Sequence, residues 1–263
     1  MSAPPSHANI NDKFIDDSDI LFLIKFGKKT HLQDILNNKL RFAPSQQYIE
    51  QEQKLYDKGQ GDLLEGKMKI HSVSMKANTQ TGEVYHYNQP ADVTVSIADV
   101  NNMPILCFFT GTLKDCSSYI SRKKYTINLS DDVKNTLIHD FHNPDSALII
   151  PNPQNFINAV KKQLHAEAST VRYYDYSKNN LEQYLFLTSD NPNNSEKKLT
   201  MNWDRGYKHL LCKDVSFINQ QEYRFIILNE LITEPKKYDF NFDYNYKLVS
   251  TQDLFSGLEI AFQ

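Results

Sequence analysis

The apolar positions of this chain change period several times, and each change predicts an element. Residues 20–26 are almost wholly apolar and read as a strand. Thr30 then caps a short helix in which Leu32, Ile35 and Leu36 follow the spacing of one helical face, and Asn37-Asn38 end it before a strand at 39–43. Pro44 and Ser45 open a polar helix running to about residue 56, closed by the glycines of Lys58-Gly-Gln-Gly61. Between 67 and 100 the pattern falls to period two. Met68, Ile70 and Val73, then 84–87, then 93–97 predict antiparallel strands, punctuated by Thr81-Gly82 and Pro90.

Residues 104–109 are apolar throughout and predict a buried central strand that turns at Gly111. Ser130 caps a helix whose buried stripe is Val133, Leu137, Ile138 and Phe141, and a strand follows at 146–150. Pro153 opens another helix, with Phe156, Val160 and Leu164 on one side, reaching about residue 168. Residues 171–176 alternate as a strand, and 189–198 are the most loop-like stretch. In 217–228 an extended chain puts Gln220, Glu222 and Arg224 on one face and Tyr223, Phe225 and Ile227 on the other, a pattern that by itself also reads as an edge strand with Glu222 and Arg224 as a solvated cross-strand pair. The elements together predict an α+β fold: one mainly antiparallel domain over 19–263, after a polar arm at 1–18.

Composition narrows the function classes. At 263 residues the chain can bury a substantial core, and its net charge of -3 gives no global basic field for nucleic acid. Arg122, Lys123 and Lys124 are a local basic run that reads as a solvated turn. Usage is skewed towards Asn, Asp, Lys, Tyr and Phe with only 8 Gly, resembling a low-GC bacterium or its phages. The three cysteines lack CxxC spacing, so no disulfide framework or structural zinc site is expected. No apolar run is long enough to cross a bilayer and no export signal opens the chain, so a cytoplasmic protein without membrane contact is expected.

No dinucleotide-binding glycine motif, phosphate-binding loop, nucleophile elbow or zinc-peptidase motif occurs. Asp62 and Glu65 lie three apart, close enough to converge on a metal or to act as acid and base if one helical turn joins them; a solvated turn is the alternative. His139 and His142, three apart at the end of a helix, could ligate a metal if both rings pointed the same way, but read first as covering the helix C-terminus. His31 follows a strand and opens a helix, a corner where an anion can be received. Cys107 reads as an inert core thiol, and Trp203 as a core anchor or a stacking platform.

Four segments carry a resemblance. Leu23-Ile-Lys25-Phe26, Leu36 to Pro44, Gly61-Asp62-Leu-Leu-Glu65-Gly66, and Phe217 with Glu222-Tyr-Arg224 together resemble a bacterial family of unknown function found in mobile and phage-defence islands. Its layout is similar to that of ADP-ribosyltransferases, which implies a split sheet with flanking helices. The chain departs from the family after Pro44, where Ser-Gln-Gln-Tyr-Ile-Glu50 replaces an Asn-Asp-Pro corner. The resemblance implies transfer of ADP-ribose from nicotinamide adenine dinucleotide (NAD), used as substrate, to a protein or nucleic-acid acceptor, as a toxin or defence effector. Glu222 would then stabilise the positive ribose of the transition state and Gln220 would orient the acceptor. Lys25 or His31 would hold a phosphate or ribose, Tyr48 or Tyr223 would stack on nicotinamide, and Arg224 would complete the NAD site. The alternatives are a noncatalytic nucleotide, nucleic-acid or protein binding module, in which Lys25 and Arg224 pair with Glu222 and Glu65, and a metal-dependent nuclease using Asp62 and Glu65.

Overall fold

The computed structural model describes residues 15–55, 61–78, 84–189, 200–201, 203–243 and 245–262. The turns at Lys58-Gly59 and Thr81-Gly82, the stretch 190–198, most of the arm at 1–18 and the Trp203 side chain lie outside the described residues.

In chain order the strands are β1 (Phe22–Gly27), β2 (Lys39–Pro44), β3 (Lys67–Asn78), β4 (Val84–Ser96), β5 (Pro104–Gly111), β6 (Cys116–Ser121), β7 (Lys124–Ile127), β8 (Ser146–Pro151), β9 (Ala166–Thr170), β10 (Arg172–Tyr174), β11 (Thr188–Ser189), β12 (Thr200–Met201), β13 (Cys212–Asp214), β14 (Glu222–Ile227), β15 (Lys236–Asp239), β16 (Lys247–Ser250) and β17 (Leu258–Ala261). The helices are α1 (Lys29–Leu36), α2 (Ser45–Leu55), α3 (Asp131–Asp140), α4 (Gln154–Leu164), α5 (Leu181–Leu187) and α6 (Thr251–Phe255).

Eight strands form a central sheet whose pairings are all antiparallel. Strand β5 is its axis. One edge of β5 is taken by β14, from Glu222 opposite Phe109 to Ile226 opposite Ile105. The other edge is shared: β1 pairs with Phe109–Gly111 and β2 with Pro104 and Ile105. The sheet therefore forks between β1 and β2. In the fork the Lys25 amine donates to the Cys107 carbonyl at 2.7 Å, replacing a ladder bond the fork removes.

Pleat alternation divides the core between the two faces of the sheet. Leu23, Phe108, Leu148, Tyr223 and Phe225 face α1 and α4, where Phe156 packs edge-on against Phe108, Phe225 and Phe240. Phe22, Ile24, Phe109 and Ile149 face α3, α6 and the small sheet β17-β7-β6. Gly111 lets the two strands approach closely: a Cβ there would overlap the buried Phe22 ring.

Several boundaries differ from expectation for local reasons. Thr30 lies inside α1 and does not cap it; the Lys29 N–H is instead received by Asp145 at 2.9 Å, a cap supplied from a distant segment. Helix α4 stops at Leu164 because His165 turns left-handed, with φ of 50°, and the chain continues as β9. The strand expected over 171–176 is only β10, because Tyr176 N–H is drawn to Asp214 at 3.1 Å. Pro90 does not interrupt β4, which pairs with β3 around a bulge at residues 71–72, where Ser72 has φ of 54°. The Ser130 cap on α3 is as expected.

Candidate functional site

The polar face of β14 is buried rather than solvated. All six residues of the strand are buried, since it lies between β5 and β9. Gln220 departs from the expected extended run. It ends a 3-10 helix over Val215–Gln220, and Gln221 then adopts φ of 41°, a left-handed turn made without glycine. The turn nevertheless returns Gln220 to Glu222, because Lys213 on β13 bridges them: its amine donates to Gln220 Oε1 and to Glu222 Oε1, each at 2.6 Å.

A charged hub follows from these contacts. Arg224 Nε donates to the second Glu222 oxygen at 2.7 Å, and its two terminal nitrogens form a bidentate pair with Glu65, one of them also reaching the Leu210 carbonyl. Arg224 is 2% exposed, Glu65 1%, Lys213 3% and Glu222 7%. Two cations thus neutralise two carboxylates in a dry setting, where an unpaired charge would be costly. Burial alone would push the Glu222 carboxyl up, but Arg224 and Lys213 outweigh it and hold the carboxylate well below the usual range. The Glu222 backbone N–H donates to Tyr173 Oη at 2.8 Å, and Gln220 Nε2 donates to Asp140 at 2.5 Å. Asp140 in turn holds His139 at 2.9 Å, so that histidine serves α3 and this network together.

The other expected site residues divide into neighbours and outsiders. Lys25 and Tyr48 lie in the electrostatic field of Glu222, Lys25 in the fork and Tyr48 against the apolar cluster of Val100, Ile105 and Leu210. Burial lowers the Lys25 amine and raises the Tyr48 phenol. Burial likewise pushes the Cys107 thiol up to about 12, as an inert core thiol requires. Tyr223 is an outsider: it occupies the opposite face of β14, stacks edge-on with Phe225 at 5.3 Å and reaches Asp17 with its hydroxyl. His31 is one as well, exposed and within α1 rather than at its opening corner.

Asp62 and Glu65 are joined by a turn, but the turn is buried rather than solvated and the two carboxylates do not converge as metal ligands. Both Glu65 oxygens are committed to Arg224, while Asp62 Oδ1 accepts the Leu64 N–H at 2.9 Å. Burial pushes the Asp62 carboxyl up, and its Oδ2 has no hydrogen-bond partner. Among the described residues no cluster of three or more His, Cys, Asp or Glu side chains is arranged to hold a metal ion.

Lys213, Tyr173 and Asp140 were not expected at the site. Lys213 had one legible signal, a lone cation between the apolar pair Leu210-Leu211 and Phe217, whose ring it covers at 4.4 Å.

A more open concavity lies away from the hub. A cavity of about 360 Å³ opens beside the C-terminal end of α1, lined by Leu36, Asn38, Asn241, Phe242, Asp243, Asn245 and Tyr246. A pocket that Glu222 lines together with Thr170, Tyr173 and Gln221 holds about 20 Å³, room for one water molecule. No family model, curated protein or solved structure matches this chain. Among the described residues no helix is long and apolar enough to cross a membrane.

Proposed function

We propose that the chain is a binding protein without turnover, in which the Gln220-Glu222-Arg224 row is a structural hub and the ligand occupies the cavity between α1 and residues 241–246. The observation that carries this reading is the engagement of both Glu222 oxygens and both ends of the Gln220 amide by partners inside the fold. A carboxylate that must meet a developing ribose cation needs a free oxygen and room for a sugar. Both Glu222 oxygens are already engaged in this state.

The cavity supports the binding half of the reading. Its walls are tied to the rest of the fold, since the Gln163 amide brackets the Asn241 backbone at 2.9 and 3.0 Å and the Phe240 N–H donates to the Asn38 carbonyl. Its described lining holds amides, one carboxylate and two aromatic rings, and none of those residues is Lys, Arg or His. The C-terminal end of α1 adds partial negative charge. Such a lining suits vicinal hydroxyls on a neutral ring, as in a saccharide or a nucleoside, and disfavours a phosphate.

A second reading keeps NAD-dependent ADP-ribosyl transfer to a macromolecular acceptor. The forked sheet, with Lys25 in the fork and Glu222 on the adjacent strand, favours it. That chemistry requires Lys213 or Arg224 to release Glu222 when NAD arrives. Titrating labelled protein with maltose, adenosine and NAD separates the readings by amide shift mapping. Maltose or adenosine should shift Leu36, Asn38 and 241–246, and the pair Asp243→Ala and Asn245→Ala should abolish the effect. Shifts by NAD centred on Glu222 and Lys25, with the cavity silent, would overturn the first reading in favour of the second.

A further inference from the structure

His71 sits at the bulge of β3 and ties three segments together. Its backbone N–H donates to Asn179 Oδ1 at 2.7 Å and its carbonyl accepts from Asn179 Nδ2 at 2.8 Å. Its ring lies between two oxygens: Nδ1 is 3.0 Å from Asp92 Oδ2 on β4, and Nε2 is 2.8 Å from the Tyr176 carbonyl. The other Asp92 oxygen accepts the Ser72 N–H at 3.1 Å, so one carboxylate clamps both residues of the bulge.

A carboxylate and a backbone carbonyl are both pure acceptors, whereas a neutral imidazole has one N–H. Only the doubly protonated ring donates to both. We propose that His71 is held as an imidazolium that latches the β3–β4 hairpin to residues 176–179, and that loss of its proton to solvent loosens the hairpin. In the neutral ring one nitrogen lone pair faces an oxygen, and either the Asp92 or the Tyr176 contact must open.

The groups around the ring support this assignment. The Tyr176 carbonyl and then Asp92 favour the charged form, while desolvation and, on its own strand, Lys69 oppose it; the balance raises the His71 pKa. On the facing segment Asp175 and Lys178 pair with each other at 3.0 Å. Because the folded state holds the proton more tightly, the latch is at full strength below the ordinary histidine range and is lost as pH rises through the raised value.

Two joints transmit the event. Glu65 and Gly66 immediately precede β3, so the root of the hairpin is anchored in the Arg224 hub. Tyr176 N–H is held by Asp214, which also caps the 3-10 helix ending at Gln220. The latch thus lies outside the hub yet is tethered to it on two sides.

The test is a long-range nitrogen–proton spectrum of labelled full-length protein, with the His71 signal assigned from His71→Gln, run alongside amide hydrogen exchange from pH 6 to 8.5. The expected result is a ring protonated on both nitrogens at pH 6.5, a titration midpoint above ~6.5, and hairpin amides that exchange several-fold faster, after correction for intrinsic base catalysis, as that midpoint is crossed. Asp92→Asn, which leaves the Tyr176 contact in place, should lower the midpoint. A neutral ring at pH 6.5, or hairpin protection that does not change through the His71 titration, would overturn the proposal.

Discussion

The two faces of β14 solve the same burial problem by opposite means. On one face Tyr223, Phe225 and Ile227 join an aromatic core in which Phe156 meets Phe108, Phe225 and Phe240 at centroid distances of 5.6 to 5.8 Å. On the other, Glu222 and Arg224 are also buried but are held by specific charges from β13 and from the turn before β3. The apolar face needs volume and shape, and several side chains supply these adequately. The polar face needs particular atoms, because each removed partner leaves a desolvated charge. Two faces of one strand therefore differ in tolerance rather than in burial.

Substitution breaks this comparison most sharply at Arg224. Arg224→Met keeps much of the volume but leaves Glu65 and Glu222 without their shared guanidinium, and should cost ~3–5 kcal/mol in urea unfolding followed by circular dichroism. Phe225→Leu, the matched change on the opposite face, should cost about 1.5 kcal/mol, because neighbouring rings relax around a smaller apolar group. Near-equal losses for the two would mean that the faces do not differ as described.

A smaller effect sharpens the contrast through pH. The depressed Glu222 pKa means that its contribution is present above the ordinary carboxylate range and is lost as pH falls towards the folded-state value. Melting temperature should therefore fall more steeply with acid in the parent protein than in Glu222→Gln. Parallel curves would assign the acid sensitivity to other carboxylates.

The contrast also explains what was legible in the sequence. Period-two alternation over 222–227 is a property of the strand itself, so both faces of β14 could be read in advance. The buried run at 104–109 and the Ser130 cap were legible for the same reason: the cause lies within a few residues. The role of the polar face was not. Whether Glu222 faces solvent, a substrate or a lysine depends on β13 being brought beside it, and Lys213 belongs to a three-residue strand with little pattern of its own. The left-handed turn at Gln221 broke the assumed extension of Gln220 without the glycine that would have announced it. At α1 the cap arrives from Asp145, which no local spacing could reveal.

Glu222→Gln separates a carboxylate that holds the fold together from one that reacts, when stability and chemistry are measured on the same sample. Incubated with NAD, the parent protein and the variant should both release nicotinamide no faster than buffer, while the variant unfolds at a clearly lower urea concentration. Nicotinamide release by the parent that disappears in a variant of unchanged stability would contradict the account and make Glu222 a catalytic residue.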